Sequence, residues 1–319
     1  MNSYNEIGGY LGLECSTAEA YHKGVYLNSA RNALRYIVRV KSIKSLFLPY
    51  FTCPVVWDAL KEEGCRFDFY DIDRDLKPIL DNIPKTAYIV CNNYFGIQTD
   101  LMQRLAIEYE NIIIDNAQAF YAPRLGTGSF YSPRKFFGLP DGGIALLSDD
   151  VHLELDEDHL SHTRCEHLLK RYDLGANAAY GYFIKNDHSL ANAPMLAMSK
   201  LTSMLMRNIN YEYVKAKRRE NYLYLQEQLS DINLLSIKLN NDDVPLAYPL
   251  LIEAEGMRDY LISHKIYIPK YWPNIDEYAP HESNAVYMVD NLISLPIDQR
   301  YDSNSMHFIV NSILNFLDM

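Results

Sequence analysis

The sequence has few cysteines and no pattern that would organise them. The five are odd in number and never spaced as Cys-x-x-Cys, at Cys15, Cys53, Cys65, Cys91 and Cys165. Neither a disulfide framework nor a zinc site is therefore expected, and a reducing compartment fits best. The chain also lacks a basic, apolar leader and any run approaching about 18 apolar residues, so neither export nor a membrane span is expected.

Positive charge is scarce as well, with 30 Lys and Arg against 41 Asp and Glu and a formal net charge of -11. A nucleic-acid partner is not expected, because neutralising phosphates requires a basic face. The patterns GxGxxG and GxxxxGK[ST] are missing too, which disfavours an ordinary doubly wound nucleotide-binding protein. Apolar residues, at 48%, instead predict a compact globular chain.

Short apolar runs alternate with helix-like stretches from about residue 25 to 150. This alternation predicts an α/β fold with a largely parallel sheet. The predicted elements are a helix over 29–40, a strand over 45–48, a helix over 54–63, a strand over 66–70, a strand over 87–91, a helix over 99–108, a strand over 112–114 and a strand over 142–147.

An acidic patch, DDVHLELDEDH (149–159), leads into a polar helical segment and predicts the exit from the sheet. A smaller α/β unit is expected beyond it. Its predicted pieces are a long bridging helix over 212–229, a strand over 244–252, a helix near 256–264, a strand over 265–269, turns over 271–280, an apolar run over 291–297 and a closing helix from Ser303. The expected domains are therefore 1–210 and 211–319.

The segment IIIDNAQAF (112–120) carries the strongest chemical signal. A buried strand delivers Asp115 to its carboxyl end, where ligands bind in open α/β sheets. A carboxylate there can pair with a protonated ring nitrogen, and the amide of Gln118 can contact an oxygen of the same ring. Taken alone, the segment favours a different interpretation, in which Asp115 caps a following helix.

A lysine follows in GSFYSPRKFFGLPDGG (128–143), in an apolar, glycine-containing turn. Arg134 and the aromatic neighbours of Lys135 are expected to lower the amine pKa, as a nucleophilic lysine requires. A surface lysine in a loop is the alternative.

Upstream, LNSARNAL (27–34) leads into a helix, where Ser29, Arg31 and Asn32 could form a phosphate cup. As a motif it is common, since many Ser-capped helices bind nothing.

These three segments, in this order, resemble the DegT/DnrJ/StrS family of sugar aminotransferases, which belongs to fold type I of the pyridoxal phosphate (PLP) enzymes. SARNAL (29–34) resembles the phosphate-binding helix start of the family, and Asp115 with Gln118 resembles its Asp-x-x-Gln. Lys135 resembles the lysine of the family, and the two glycines of a Gly-Gly pair follow it by seven and eight residues. Further resemblances lie in LPYFTCPVVWDALKEEGCRFDFYDID (48–73), NNYFG (92–96), IYIPKYWP (266–273) and ISLPID (293–298).

The resemblance covers most of the chain and implies a three-layer large domain, in which helices lie on both faces of a mostly parallel sheet, plus a small C-terminal α/β domain. It implies PLP as cofactor, with Lys135 and Asp115 as catalytic residues. The implied cofactor contacts are Ser29, Ala30, Arg31, Phe51, Asn93, Asp115, Gln118, Ser132 and Lys135. The implied substrate contacts are Tyr94, Arg134 and Asn177.

Three positions and one segment depart from the family pattern. Cys53 stands where the family carries an aromatic that stacks on the cofactor, so stacking is expected from Tyr50, Phe51 or Tyr94. Ala30 replaces the glycine of the phosphate loop, next to Arg31.

Phe130 replaces a serine, and Ser129 and Ser132 are close enough to substitute. The segment by which one subunit reaches its neighbour's site is not recognisable, and the candidates for that role are Arg164, Asn177 and Asn186.

The resemblance implies an aminotransferase that moves an amino group from glutamate to a nucleotide-linked keto sugar, for surface polysaccharide or O-antigen. A cytoplasmic homodimer with shared active sites is expected. Two alternatives stay open: a PLP-dependent sugar dehydratase, in which histidine typically replaces the lysine, and a paralogue that acts as a regulator or binding module.

Overall fold

The computed structural model describes residue 13 and residues 19–148, 151–236 and 238–318. Most of the N-terminal segment used to judge export, Cys15 and the first two residues of the acidic patch, 149–150, lie outside the described residues. Within the described ranges, no helix combines the length and the apolar character that a bilayer span requires.

Strands and helices alternate through the first half of the described chain. The elements there are β1 (Val25–Leu27), α1 (Ala30–Val40), β2 (Ser45–Pro49), α2 (Pro54–Glu62), β3 (Arg66–Tyr70), β4 (Tyr88–Asn92), α3 (Thr99–Glu108), β5 (Asn111–Asn116), β6 (Gly128–Tyr131) and β7 (Gly143–Leu147). Those that follow are α4 (Glu166–Leu174), α5 (Ala176–Ala191), α6 (Lys200–Arg207), α7 (Tyr211–Leu229), β8 (Ala247–Leu251), α8 (Met257–Ser263), α9 (Asn284–Asn291), β9 (Leu292–Pro296) and α10 (Ser303–Leu317).

The first seven strands form one sheet in the order β1-β7-β6-β5-β4-β2-β3. Strands β2 to β6 run parallel to their neighbours, whereas β7 is antiparallel to both β6 and β1. The mostly parallel α/β sheet that the sequence predicts is therefore confirmed. A second sheet of two antiparallel strands, β8 and β9, lies in the C-terminal part.

Helices cover both faces of the large sheet. Alternate residues of β5 explain this, because Ile113 packs in the cluster under α1 and α2, while Ile112 and Ile114 pack under α3. All three isoleucines are fully buried. Each contributes about 1.5–3 kcal/mol relative to an exposed side chain. A strand buried on both faces needs such a continuous apolar run.

The C-terminal part, residues 211–318, packs directly against the large sheet's loops. Its main hydrophobic cluster combines Leu250 and Ile275 with Phe51, Tyr94 and Phe95 from the first half of the chain. Asp71, which follows β3, accepts hydrogen bonds from the backbone N–H groups of Asn284 (2.9 Å) and Ala285 (3.1 Å) at the start of α9. The hydrophobic cluster and the hydrogen bonds to Asp71 together hold the C-terminal part over one edge of the sheet.

One prediction for the C-terminal part is wrong. The strand expected over 265–269 does not form, because the chain leaves α8 through Lys265 at a φ of 65° and continues as an irregular segment without a strand partner. Between the predicted turns and the apolar run, the chain forms α9, which Ser283 caps by accepting from the N–H of Val286.

Candidate active site

Three parallel strands end side by side at the edge where the site forms. Asn92 at the end of β4 pairs with Asp115 on β5, and Asp115 pairs with Phe130 on β6. The turn after β6 is a single 3₁₀ turn, Pro133–Lys135. Asp115 and Lys135, twenty residues apart in sequence, are thus brought to neighbouring strand ends.

Asp115 is a buried carboxylate, 8% exposed. Its Oδ1 accepts the backbone N–H of Ala117 at 2.8 Å. Burial raises the pKa of Asp115 to about 6, although the charge of Lys135 and the Ala117 N–H act in the opposite direction. No α-helix begins after Asp115, where the chain makes a turn, so the helix-capping alternative is wrong. A cationic ligand group would restore the ordinary ionisation of this carboxyl.

Gln118 is held by one end of its amide. Its Oε1 accepts the backbone N–H of Phe95 at 2.9 Å, which fixes the orientation of the side chain. Its Nε2 is buried and has no hydrogen-bond partner among the described residues. An unpaired buried donor costs about 1–3 kcal/mol. A ligand oxygen would satisfy it.

Lys135 lies in the 3₁₀ turn, where its backbone N–H donates to the Ser132 carbonyl at 3.1 Å. Its side chain is exposed. The desolvation expected from its aromatic neighbours is therefore not found, because Phe136 and Phe137 point into a separate aromatic cluster. The charge of Arg134 is offset by Asp187, whose carboxylate lies 2.8 Å away.

The phosphate cup is built on the start of α1. Ser29 caps the helix, and its Oγ accepts from the backbone N–H of Asn32 at 3.2 Å. Asn32 itself turns away and is fully buried, with its Nδ2 donating to Asn28 at 2.7 Å. Ser29, Ala30 and Arg31 remain at the surface of the cup.

The Gly142–Gly143 pair explains how close β7 approaches α1. A Cβ on Gly143 would lie 2.1 Å from the carbonyl oxygen of Ser29 and 2.5 Å from the nitrogen of Ala30. Gly142 has a φ of 114°, which only glycine adopts readily. The pair therefore allows the backbone of β7 to pack tightly against the start of α1.

Side chains of these segments line one cavity of about 400 Å³. Nine residues of the predicted site line it: Ser29, Ala30, Arg31, Asn93, Asp115, Gln118, Ser132, Arg134 and Lys135. Cys53, Phe183, Asp187, His188 and Trp272, which were not predicted as site residues, line it as well.

Three predicted residues do not line this cavity. Phe51 and Tyr94 are buried behind it, at 1% and 2% exposure, with their rings 5.6 Å apart. Asn177 is exposed on α5 and lines a different cavity, beside Tyr180 and Tyr267.

The other candidates for reaching a partner subunit are held inside this chain. Arg164 is paired with the carboxylates of Asp141 and Asp158, both at 2.8 Å. Asn186 is buried and donates to the carbonyl of Pro140 at 2.7 Å. Neither side chain can extend towards a partner subunit without breaking these bonds.

In the large sheet, strand β7 is reversed beside β6, and the lysine turn follows β6 at the strand ends. Among solved structures, the chain has the fold of sugar aminotransferases of the DegT/DnrJ/EryC1/StrS type. It is similar to the sugar aminotransferase CalS13 from Micromonospora echinospora, with a TM-score of 0.66 and 17% identity over 91% of this chain and 86% of that chain.

Two further structures share the fold. A DegT DnrJ EryC1 StrS aminotransferase from Brucella abortus matches with a TM-score of 0.64 and 16% identity, over 92% of this chain and 86% of that chain. PseC from Helicobacter pylori, an aminotransferase of pseudoaminic acid biosynthesis, matches with a TM-score of 0.66 and 16% identity, over 95% and 93% of the two chains. No family model matches the sequence, and no curated protein does.

Proposed function

We propose that this chain is a PLP-dependent aminotransferase that moves an amino group from an amino acid to a keto sugar. The observation that carries the proposal is the convergence of Asp115, Gln118 and Lys135 on one cavity. The solved structures that share the fold include sugar aminotransferases, which supports the same reaction class. The proposed donor is glutamate, and the proposed acceptor is a nucleotide-linked keto sugar for surface polysaccharide or O-antigen.

The residues present fit a pyridoxal ring and its phosphate. Asp115 offers a buried carboxylate that a protonated ring nitrogen would neutralise, and the unpaired Nε2 of Gln118 offers a donor for a ring oxygen. The start of α1, with Ser29 and Arg31, offers N–H groups and a cation for phosphate. Lys135 offers the amine for covalent attachment. PLP, when bound, supplies an electron sink for the carbon that loses its proton.

Each residue then has a distinct role. Lys135 would hold the cofactor covalently through its Nζ, and the same amine, when free, would serve as the base for the proton of the reacting carbon. Asp115 would hold the ring nitrogen in its protonated form, in which the ring attracts electrons most strongly. Arg134 and Asp187, at the same cavity, form an ion pair that a carboxylate of the amino donor would have to share or replace.

Lys135 disfavours the dehydratase alternative, because those members typically carry histidine at this position. The regulator alternative is supported by Cys53 and Ala30, which replace the family's aromatic and glycine. We further propose domains at 1–210 and 211–319, a homodimer in which the partner completes the site, and a cytoplasmic location.

Borohydride trapping tests the cofactor site. Purified protein incubated with PLP should develop a visible absorption band, and reduction should fix the cofactor to the peptide that contains Lys135. Lys135→Ala should lose the band, whereas Lys85→Ala, at a surface lysine paired with Glu108, should keep it. A label on another lysine would refute the assignment.

Single-turnover spectroscopy separates the enzyme from the regulator. Glutamate should convert the visible band to that of the aminated cofactor, and a nucleotide-linked keto sugar should restore it. A correct label on Lys135 without any response to amino acids would favour the regulator. Sedimentation velocity tests the proposed homodimer, and a strictly monomeric chain with full activity would contradict shared sites.

A further inference from the structure

The cavity lacks an aromatic at the position where the resembled family stacks a ring on its cofactor. Cys53 is there instead, and burial raises the pKa of its thiol, so the side chain is neutral. Cys53 therefore contributes only a small, uncharged side chain to the cavity wall, with little surface for contact with a ring. None of the three aromatic residues expected to substitute, Tyr50, Phe51 and Tyr94, lines the cavity, and Phe51 and Tyr94 are buried behind it.

A tryptophan from the C-terminal part reaches the same wall. Trp272 lines the cavity, and its ring packs edge-on against Phe51, two residues before Cys53, with the ring centroids 4.7 Å apart. Trp272 thus lies against the segment that carries the missing aromatic position.

The other aromatic side chains of the cavity are placed differently. Phe130 belongs to the core under α1, at 2% exposure. Phe183 lies on α5, about 6.0 Å from the guanidinium of Arg134, beside the ion pair with Asp187. Among the lining residues, Trp272 is the aromatic that packs on the Phe51–Cys53 segment.

The backbone of Trp272 is held in an unfavourable conformation. Its φ of 51° and ψ of 58° lie in the left-handed region, where a non-glycine residue costs about 1–2 kcal/mol. Pro273 follows, and a residue before proline normally favours extended backbone. Packing against Phe51 and Tyr94 maintains the conformation. Strain of this kind is typical of ligand-binding positions.

We propose that Trp272 is a binding residue for the cofactor ring and supplies the aromatic contact that Cys53 does not. The inference rests on the proposed function, because it concerns the same PLP site. The aromatic contact then comes from the segment between α8 and α9 instead of the loop after β2. Cofactor binding consequently joins the C-terminal part to the sheet.

Fluorescence quenching reads the environment of Trp272 directly. The chain has two tryptophans, and the other, Trp57, is 7% exposed and packs against Phe69. In Trp57→Phe, Trp272 is the single emitter. The bimolecular quenching constant for acrylamide, corrected for lifetime, should fall at least about threefold when PLP binds. Trp272→Phe, which keeps only Trp57, should show no such fall.

Affinity provides the second measurement. Trp272→Ala should raise the Kd for PLP about two- to tenfold, the range expected for one aromatic contact. Trp272→Phe should recover most of the affinity. The double variant Trp272→Ala/Cys53→Tyr should also recover it, because it returns a ring to the family's position. Chemical unfolding of each variant verifies that the fold is retained.

The outcomes distinguish this inference from the proposed function. If PLP neither absorbs nor labels Lys135, both are refuted. If PLP labels Lys135 while the quenching constant of Trp272 and the Kd of Trp272→Ala stay unchanged, only the role of Trp272 is refuted. Recovery by Trp272→Phe and by Cys53→Tyr supports the inference, and failure of both recoveries refutes an aromatic contact.

Discussion

The guanidinium of Arg218 donates a hydrogen bond to the backbone carbonyl of Phe136, the residue that follows Lys135. The bond is 3.2 Å long, and the same guanidinium lies 4.6 Å from the centre of the Phe136 ring. Arg218 is on α7 and also donates to the Leu246 carbonyl at 2.9 Å. Burial lowers its pKa to about 10. An arginine of the C-terminal part therefore anchors the turn that carries the lysine.

Arg218→Met should slow the half-reaction with glutamate at least about tenfold, because the Lys135 turn loses an anchor and small displacements of a reacting group are costly. The loss of folding free energy should be modest, about 1–2 kcal/mol, since removing a buried charge offsets part of the lost hydrogen bonding. Stopped-flow spectroscopy and chemical unfolding measure the two effects.

Arg219→Met is the matched control for this change. Arg219 is next on the same helix and donates to the Asn240 carbonyl at 2.8 Å, away from Phe136. It should lower stability without slowing the half-reaction. Equal slowing in both variants would show that the effect is one of general stability.

Asp115→Asn should stabilise the cofactor-free protein at neutral pH. The pKa of Asp115 rises from 3.8 to about 6 on folding, so the folded state holds the proton more tightly than the unfolded chain. Stability is therefore highest below pH 4 and is lost as the pH rises towards 6. The asparagine variant escapes this loss, which is about 2–3 kcal/mol at pH 7.5.

Unfolding by urea at pH 4.5 and pH 7.5 verifies the sign. The variant should be more stable by about 1 kcal/mol at the lower pH and by about 2–3 kcal/mol at the higher one. Addition of PLP should stabilise the wild-type protein more than the variant, because only a carboxylate gains from a ring cation. A pH-independent difference would contradict the assigned pKa.

Gly143→Ala should destabilise the protein by about 2–4 kcal/mol and weaken PLP binding. The new Cβ would overlap the carbonyl oxygen of Ser29 at 2.1 Å, so the start of α1 would have to move. Gly181→Ala is the control, because nothing lies within 4 Å of a Cβ there and the residue is in the helix α5. Thermal unfolding and a PLP titration should separate the two variants.

Asp71→Ala should lower the free energy of unfolding by about 1–2 kcal/mol, because two N–H groups at the start of α9 lose their acceptor. It should also raise the acrylamide quenching of Trp272, since the segment before α9 is less constrained. Asp73→Ala removes acceptors within the local 73–77 turn, for the N–H groups of Asp75 and Lys77. In the Asp73→Ala variant, the quenching of Trp272 by acrylamide should be unchanged.

The sequence predicts the large sheet well where strands are buried on both faces. β4 and β5 are continuous apolar runs, and helices α1 and α2 begin with a serine cap and a proline, which are strong local signals. β6 was missed as a strand, because Gly128–Tyr131 is short and precedes a turn-forming Ser-Pro. Its position between β5 and β7 depends on pairing with these strands, which its own four residues do not indicate.

The site follows the same division. Asp115, Gln118 and Lys135 could be predicted because each lies at or just beyond a strand end, where parallel strands bring side chains together. Trp272 could not, since it comes from far along the chain and its reach depends on how the C-terminal part packs. The segment IYIPKYWP was recognised, but only as a strand and a turn. Phe51 was expected to contact the cofactor, but it does not line the cavity because its ring packs in the core.

The cavity lining extends along the chain from Ser29 to Trp272. During synthesis, the sheet segments through β7 leave the ribosome well before the tryptophan that faces them. A nascent chain that ends before Trp272 holds only part of the cavity lining. Under the proposed role of Trp272, the cofactor site would therefore be complete only after this residue has been synthesised.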